Sequence, residues 1–310
     1  MPLAMTGRLF ATEANSPVAR LRAELSAVDN IVVGPGVYDG LTARIALKAG
    51  FECLYMTGAG TTMSRLGMPD IGLATLNDMR DNAAMIAGLE PSVPLVADAD
   101  TGYGGPVMVG RTVKQYIQAG VAALHLEDQV HSKRCGHLLN KQLVDNTEFI
   151  SRIRAAVMAR EESKGDIVII ARTDALQELG YEAARDRLKE AIAVGADVAF
   201  LEGLTSIEQG RQICQDLAPS PVLFNCVPGG LSPTLSVQEA KDLGFKMIIF
   251  PGLFLSPVTV AATTAATALK SQGYVENSGG SPKTIFEICG IRKLMEFDAA
   301  AGGKMYEKGV

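Results

Sequence analysis

The run Val107-Met108-Val109-Gly110-Arg111-Thr112-Val113-Lys114-Gln115-Tyr116-Ile117-Gln118-Ala119-Gly120-Val121-Ala122-Ala123-Leu124-His125-Leu126-Glu127 holds one whole unit of a repeating pattern. Its first part is a helical pattern over Val107–Ala119, and the Ala119-Gly120 step stops it, glycine being a common helix terminator. A short β-rich run, Ala122–Glu127, follows at once. The same helix-to-strand step recurs at Ala49-Gly50 and Val194-Gly195-Ala196. Other β-rich runs lie at Ile31–Gly36, Cys53–Thr57, Leu95–Asp98, Val168–Arg172, Val198–Glu202, Val222–Cys226 and Met247–Phe250. Further helical patterns sit between them at Asp78–Ala87, Glu148–Glu162, Glu182–Val194, Ile207–Asp216 and Val237–Leu243. Strands that alternate with helices of about 10–15 residues pair in parallel. Eight such units predict an α/β fold of the closed (β/α)8, TIM-type barrel kind. An open doubly wound sheet is the alternative, opposed by the lack of Gly-x-Gly-x-x-Gly after the first strand.

At 310 residues the chain is long for an ordinary domain, but α/β barrels are the exception to that length rule. Residues 1–310 are therefore read as one barrel domain, with 273–310 as a helical C-terminal extension. A 47% hydrophobic content and a net charge of −5 suit a soluble globular protein and offer nothing to a nucleic acid. No apolar stretch approaches the length of a membrane span. Five cysteines, an odd number without paired spacing, suit a reducing compartment. Met1–Leu25 has no unbroken apolar signal region, so a cytoplasmic location is expected. A mitochondrial presequence would use Arg8, Arg20 and Arg22, against which Glu13 and Glu24 argue.

Barrel chemistry sits where the strands end, and here those ends are polar. They carry Tyr55, Thr57, Gly58 and Ala59; Asp98 and Asp100; Glu127; Arg172 and Asp174; Glu202; Asn225; and Pro251. Alternation along a strand would put Asp98 and Asp100 on one face, about 7 Å apart, with Glu127 beside them. Hard oxygens in that number, without thiolate or imidazole ligands, suit Mg²⁺ or Mn²⁺. The following Thr101-Gly102-Tyr103-Gly104-Gly105-Pro106 would let the chain turn sharply, and lacks the Gly-Lys-Ser/Thr ending of a phosphate loop. Arg172 suits either a substrate carboxylate or an internal salt bridge to Glu202 or Asp174.

In Lys133-Arg134-Cys135-Gly136-His137 a thiol stands among cationic side chains. Such neighbours lower a cysteine pKa from about 8.5 and let the thiol hold or deliver a proton near neutrality. Cys53, Cys214, Cys226 and Cys289 lie in apolar or helical contexts and are read as structural.

Together with Asp98-Ala99-Asp100-Thr101-Gly102-Tyr103-Gly104 and His125-Leu126-Glu127-Asp128-Gln129, this motif resembles the isocitrate lyase and phosphoenolpyruvate mutase superfamily, from about Gly34 to the C-terminal helix. The Lys-Arg-Cys-Gly-His form points to the branch with a catalytic cysteine: isocitrate, methylisocitrate and 2,3-dimethylmalate lyases and oxaloacetate acetylhydrolases. The long insertions of full isocitrate lyases do not fit in 310 residues. The resemblance implies Mg²⁺-dependent cleavage of a C–C bond in a small dicarboxylate. It casts Asp98, Asp100, Glu127 and Asp70 as metal residues and Cys135 as the proton donor, with Lys133, Arg134 and His137 tuning the thiol. Tyr55, Thr57, Gly58, Ala59, Gly136, His137, Arg172, Glu202 and Asn225 would hold the substrate, Arg172 and Lys133 also serving the chemistry. Glu127 and Tyr55 remain open as the base for the 2-hydroxyl.

Within that branch, acetylhydrolases place a serine near the end of strand eight, where this chain offers Pro251. Proline cannot bond a second C2 hydroxyl, so a 2-alkylmalate such as 2,3-dimethylmalate is the expected substrate. Oxaloacetate becomes the better fit if Ser256 takes the serine's place, and methylisocitrate would need a further carboxylate clamp. A barrel with decayed chemistry is opposed by the competent residue at every expected position. The stretch Thr284–Ala299 reads as one amphipathic helix. It either packs on its own barrel or, as the resemblance implies, is swapped between subunits of a dimer or of a homotetramer built as a dimer of dimers.

Overall fold

The computed structural model describes residues 16–136, 138–276, 280–307 and 309. In chain order its elements are α1 (Pro17–Ser26), β1 (Val32–Val37), α2 (Gly40–Lys48), β2 (Leu54–Met56), α3 (Gly58–Leu66), α4 (Leu76–Leu89), β3 (Leu95–Asp98) and α5 (Pro106–Gln118). There follow β4 (Ala123–Glu127), α6 (Asn146–Ser163), β5 (Val168–Thr173), α7 (Ala175–Leu179), α8 (Tyr181–Ala193), β6 (Val198–Leu201), α9 (Ile207–Asp216) and β7 (Val222–Asn225). The last are α10 (Val237–Leu243), β8 (Met247–Phe250), α11 (Leu255–Gln272), α12 (Pro282–Ile288) and α13 (Ile291–Ala300). Each strand pairs in parallel with the next, and β1 pairs with β8 from Val32↔Met247 to Pro35↔Phe250. The expected (β/α)8 barrel is therefore closed, with no sheet edge left to cover.

The strands divide their side chains by parity. In β5, Ile169 and Ala171 join the layer packed against the helices, while Val168 and Ile170 join the barrel interior with Val96, Val198, Phe200, Leu223, Met247 and Ile249. Successive strand side chains point to opposite faces, so the next inward position after Ile170 is Arg172. Val18, Leu21 and Leu25 of α1 belong to the same interior cluster, with Val32 and Cys53 from the starts of the first strands. The apolar lower layers thus form a packed floor, and removing one large side chain from it would cost about 2–5 kcal/mol.

Local signals set the helix starts. Asp39, Thr75 and Ser236 form capping boxes ahead of α2, α4 and α10. Two expectations need correction. Asp100 does not extend the strand of Asp98: β3 ends at Asp98, and Asp100 has φ 47°, so the chain has already turned. The stretch Thr284–Ala299 is two helices rather than one, broken where Gly290 adopts φ 84° between α12 and α13. Neither of these helices, nor α11, buries a side chain among the described residues.

Candidate active site

Above the apolar floor, the last inward positions are polar. A cavity of about 50 Å³ lies there, lined by Tyr55, Thr57, Ala59, Asp70, Asp98, Cys135, Gly136, Arg172, Glu202, Asn225, Val227 and Pro251. All of these except Val227 are among the residues expected from the sequence. Gly58, Asp100, Glu127 and Lys133 do not line the cavity but touch its walls. The Gly58 N–H donates to Asp98 Oδ2 at 3.2 Å and the Asp100 N–H to Asp98 Oδ1 at 2.8 Å. His137 lies outside the described residues.

The two thiol-side residues arrive on a hairpin. Its base is an antiparallel bridge between Gln129 and Leu143, extended by Val130 N–H to the Gln142 carbonyl at 2.9 Å. The Gln129 side chain brackets Arg134 from both sides, donating to its carbonyl at 2.9 Å and accepting from its N–H at 3.0 Å. Beyond it the chain presses Gly136 so tightly on the barrel that a Cβ there would strike Arg172 and Glu202. Glycine is needed at that close approach.

Lys133 is buried, and its ammonium stands 2.6 Å from Asp70 and 2.5 Å from Asp100. Its charge is thus directed at the carboxylates. Burial alone would lower its pKa, but Asp100, Glu127, Asp70 and Asp98 hold it well above the ordinary lysine range. Arg134 reaches outward, toward the Leu139 carbonyl. Arg172 makes the internal bridges that its position allowed: Nε and NH2 bond Asp174 at 2.9 and 3.1 Å, with Glu127 at 3.2 Å and Glu202 at 3.6 Å. It also faces the cavity, and its guanidinium carbon lies 5.2 Å from the Phe200 ring centre.

Burial raises the proton affinity of three carboxyls here. Asp98 is shifted upward, Asp100 is pushed up to about 7, and Glu127 stands well above the usual range despite the opposing pull of nearby cations. Both Glu127 carboxylate oxygens are buried without a hydrogen bond. Burial drives His125 well below its ordinary pKa, so the ring is neutral. Tyr55, which burial keeps protonated, has its hydroxyl 2.9 Å from His125 Nε2, and His125 Nδ1 stands 3.6 Å from Asp98 Oδ1. Buried carboxyls thus outnumber buried cations around the cavity, a balance that favours a further positive charge. The carboxylate donors are hard oxygens, and with the two Glu127 oxygens that accept no hydrogen bond they fit Mg²⁺ or Mn²⁺ in chemical type. Among the described residues no three ligating side chains form a ready-made cluster, and the Lys133 ammonium spans Asp70 and Asp100.

The family model described as phosphoenolpyruvate phosphomutase matches residues 21–270. The chain belongs to the phosphoenolpyruvate mutase and isocitrate lyase superfamily. A superfamily member solved as 2,3-dimethylmalate lyase is 52% identical, with a TM-score of 0.93 over 95% of this chain and 98% of that one. An oxaloacetate acetylhydrolase in complex with 3,3-difluorooxalacetate is also 52% identical, with a TM-score of 0.92 over 94% and 99%. The 2,3-dimethylmalate lyase of Eubacterium barkeri is 38% identical over 90% of this chain and 96% of its own length, and 2-methylisocitrate lyases stand among the curated relatives as well. These superfamily relatives are carbon–carbon lyases, in keeping with the resemblance read from the Lys133–His137 motif.

Val227 had no signal in the sequence. Val227 lies past the end of β7 and enters the cavity only through the fold.

Proposed function

We propose that the protein cleaves the C2–C3 bond of a 2-alkylmalate, with 2,3-dimethylmalate giving pyruvate and propionate. The observation that carries this reading is the apolar wall formed by Pro251 and Val227 in the same cavity as Cys135 and Arg172. Pro251 has neither hydroxyl nor N–H. Ser256, the alternative partner for a second C2 hydroxyl, is exposed in α11 and does not line the cavity. A second hydroxyl would stay unpaired against that wall, at a cost of about 1–3 kcal/mol, whereas a C2 methyl would pack there.

Arg172 supplies the guanidinium for a substrate carboxylate, aided by Asn225, whose Nδ2 also bonds Glu202 at 3.0 Å. Thr57, Gly58 and Ala59 present the start of α3 to the oxygens around C2. Removal of the 2-hydroxyl proton turns that oxygen's electrons into the carbonyl of pyruvate as C2–C3 breaks, and the electron pair left on C3 takes a proton. Cys135 is the donor of that proton. Tyr55, which burial keeps protonated, is no base as it stands, which leaves Glu127 as the group to receive the hydroxyl proton. Asp98, Asp100, Asp70 and Glu127 would hold Mg²⁺ or Mn²⁺, which supplies positive charge where the substrate oxygens become negative.

We also read the protein as a homo-oligomer, a dimer or a dimer of dimers. α11 to α13 bury no side chain and expose Val260, Phe286, Leu294 and Phe297, an apolar surface of the kind that subunit contacts cover. No helix among the described residues is long and apolar enough to cross a membrane. One side-by-side assay with Mg²⁺ tests the substrate: turnover of 2,3-dimethylmalate should exceed that of oxaloacetate, with little cleavage of methylisocitrate or isocitrate. A preference for oxaloacetate of about tenfold or more would replace this reading with the acetylhydrolase one.

A further inference from the structure

Lys141 lies near the far end of the hairpin that carries Cys135, outside every motif that pointed to the site. Its side chain is fully buried. The ammonium donates to the Gly136 carbonyl at 2.8 Å and to Asp174 Oδ1 at 2.8 Å. Asp174 is also the main partner of Arg172, and its own backbone N–H is fixed by Asp128 at 2.8 Å. Asp128 is fixed in turn by Arg187 of α8 at 2.8 Å. One carboxylate on a rigid shelf therefore binds two cations, one reaching into the cavity and the other gripping the hairpin.

We propose that Lys141 is a positioning residue of the site: it clamps the Gly136 carbonyl to Asp174 and so seats Cys135 on the cavity that Arg172 lines. The clamp matters because Gly136 sits against Arg172 and Glu202 with no room to spare. A hairpin released from Asp174 would lift Gly136 and carry the neighbouring thiol with it. The idea rests on the reading of Cys135 as proton donor, but its primary test needs no turnover.

That test compares Lys141→Met, Lys141→Arg and Lys141→Gln in the full-length protein. The rate of Cys135 alkylation by iodoacetamide is followed by the mass of the Cys135 peptide, beside kcat and KM for the best dicarboxylate. Lys141→Met should speed alkylation and lower kcat by about 10²-fold, the usual scale of a misplaced catalytic group, while KM moves far less. Arginine keeps the charge and the donors, so Lys141→Arg should remain nearer the wild type on both measures. Glutamine can bond Gly136 but carries no charge for Asp174, and should resemble methionine. If Lys141→Met does not fold, the arginine and glutamine variants decide between them. Unchanged Cys135 reactivity in folded Lys141→Met, or equal behaviour of Lys141→Arg and Lys141→Gln, overturns the clamp. A wild type that cleaves none of the dicarboxylates would refute the proposed function, yet leave the alkylation series able to decide on Lys141.

Discussion

Gly58 and Asp98 occupy one another's only room: the Gly58 N–H bonds the Asp98 carboxylate, and the space a Cβ on Gly58 would fill is that same carboxylate. Asp98 is buried and cannot swing aside freely. Gly58→Ala should therefore displace a side chain proposed to hold the metal without altering any other member of that set. The expected result is a Mg²⁺ requirement raised by about tenfold, with overpacking costing about 1–3 kcal/mol of stability. Titration of activity and of binding heat with Mg²⁺ checks it; an unaltered Mg²⁺ midpoint would remove Asp98 from the proposed metal set.

Cys135→Ser replaces a thiol by a far weaker acid in nearly the same volume. A loss of about 10²–10⁴ in kcat with little change in KM is expected, the range for removal of a general acid. A serine variant with wild-type turnover would show that the thiol moves no proton.

Pro251→Ser places a hydroxyl on the apolar side of the cavity. The ratio of oxaloacetate to 2,3-dimethylmalate turnover should rise by about tenfold, the effect of roughly 1.4 kcal/mol at one polar contact. Parallel kcat/KM measurements on both substrates decide it, and a ratio that stays put would acquit Pro251 of any part in selectivity.

The Asp174 carboxyl is held down to about 2, because Arg172 and Lys141 outweigh the burial that would raise it. An unfolded aspartate titrates near 3.9, so folding favours the ionised form. Its contribution, on the order of 2–3 kcal/mol, is fully present above about pH 4 and is lost as pH falls through about 2. The stability gap between wild type and Asp174→Asn should narrow over that window in urea unfolding. A gap constant from about pH 6 to pH 3 would mean that the pair does not stabilise the fold through its charge.

Phe297 and Leu294 of α13 are 74% and 61% exposed. Glutamate at both positions should shift sedimentation to a smaller species, leaving the barrel folded. A wild type that already sediments as a monomer would defeat the oligomer reading.

Much of this fold was open to reading because its punctuation is local. Leu95–Asp98, Met247–Phe250, Ile207–Asp216 and Val237–Leu243 were bounded by stop residues and take the limits expected of them. By contrast, Gly58-Ala59-Gly60-Thr61-Thr62 looks like loop, since glycine and threonine are poor helix formers. It becomes helical because Thr57 caps Gly60 N–H and because Gly60 packs where any side chain would meet Tyr38. The polar rim was legible from strand ends alone. Asp100 was misplaced because a left-handed residue at a strand exit has no pattern. Lys141 and Arg187 were silent for a different reason: their carboxylate partners are 33 and 59 residues away, at the ends of the neighbouring strands β5 and β4.

The parity of the strands has a consequence for how such a protein can change. Ile169 and Ala171 answer to the helices, whereas Arg172 answers to the cavity, and neighbours in the chain are thus under unrelated constraints. Errors in the outward set reduce how much folded protein a cell holds; exchanges at the apolar positions of the cavity wall, Pro251 and Val227, leave the buried ion pairs untouched and would alter what is made. A lineage could exchange Pro251 or Val227 and acquire a new substrate while inheriting its folding machinery whole.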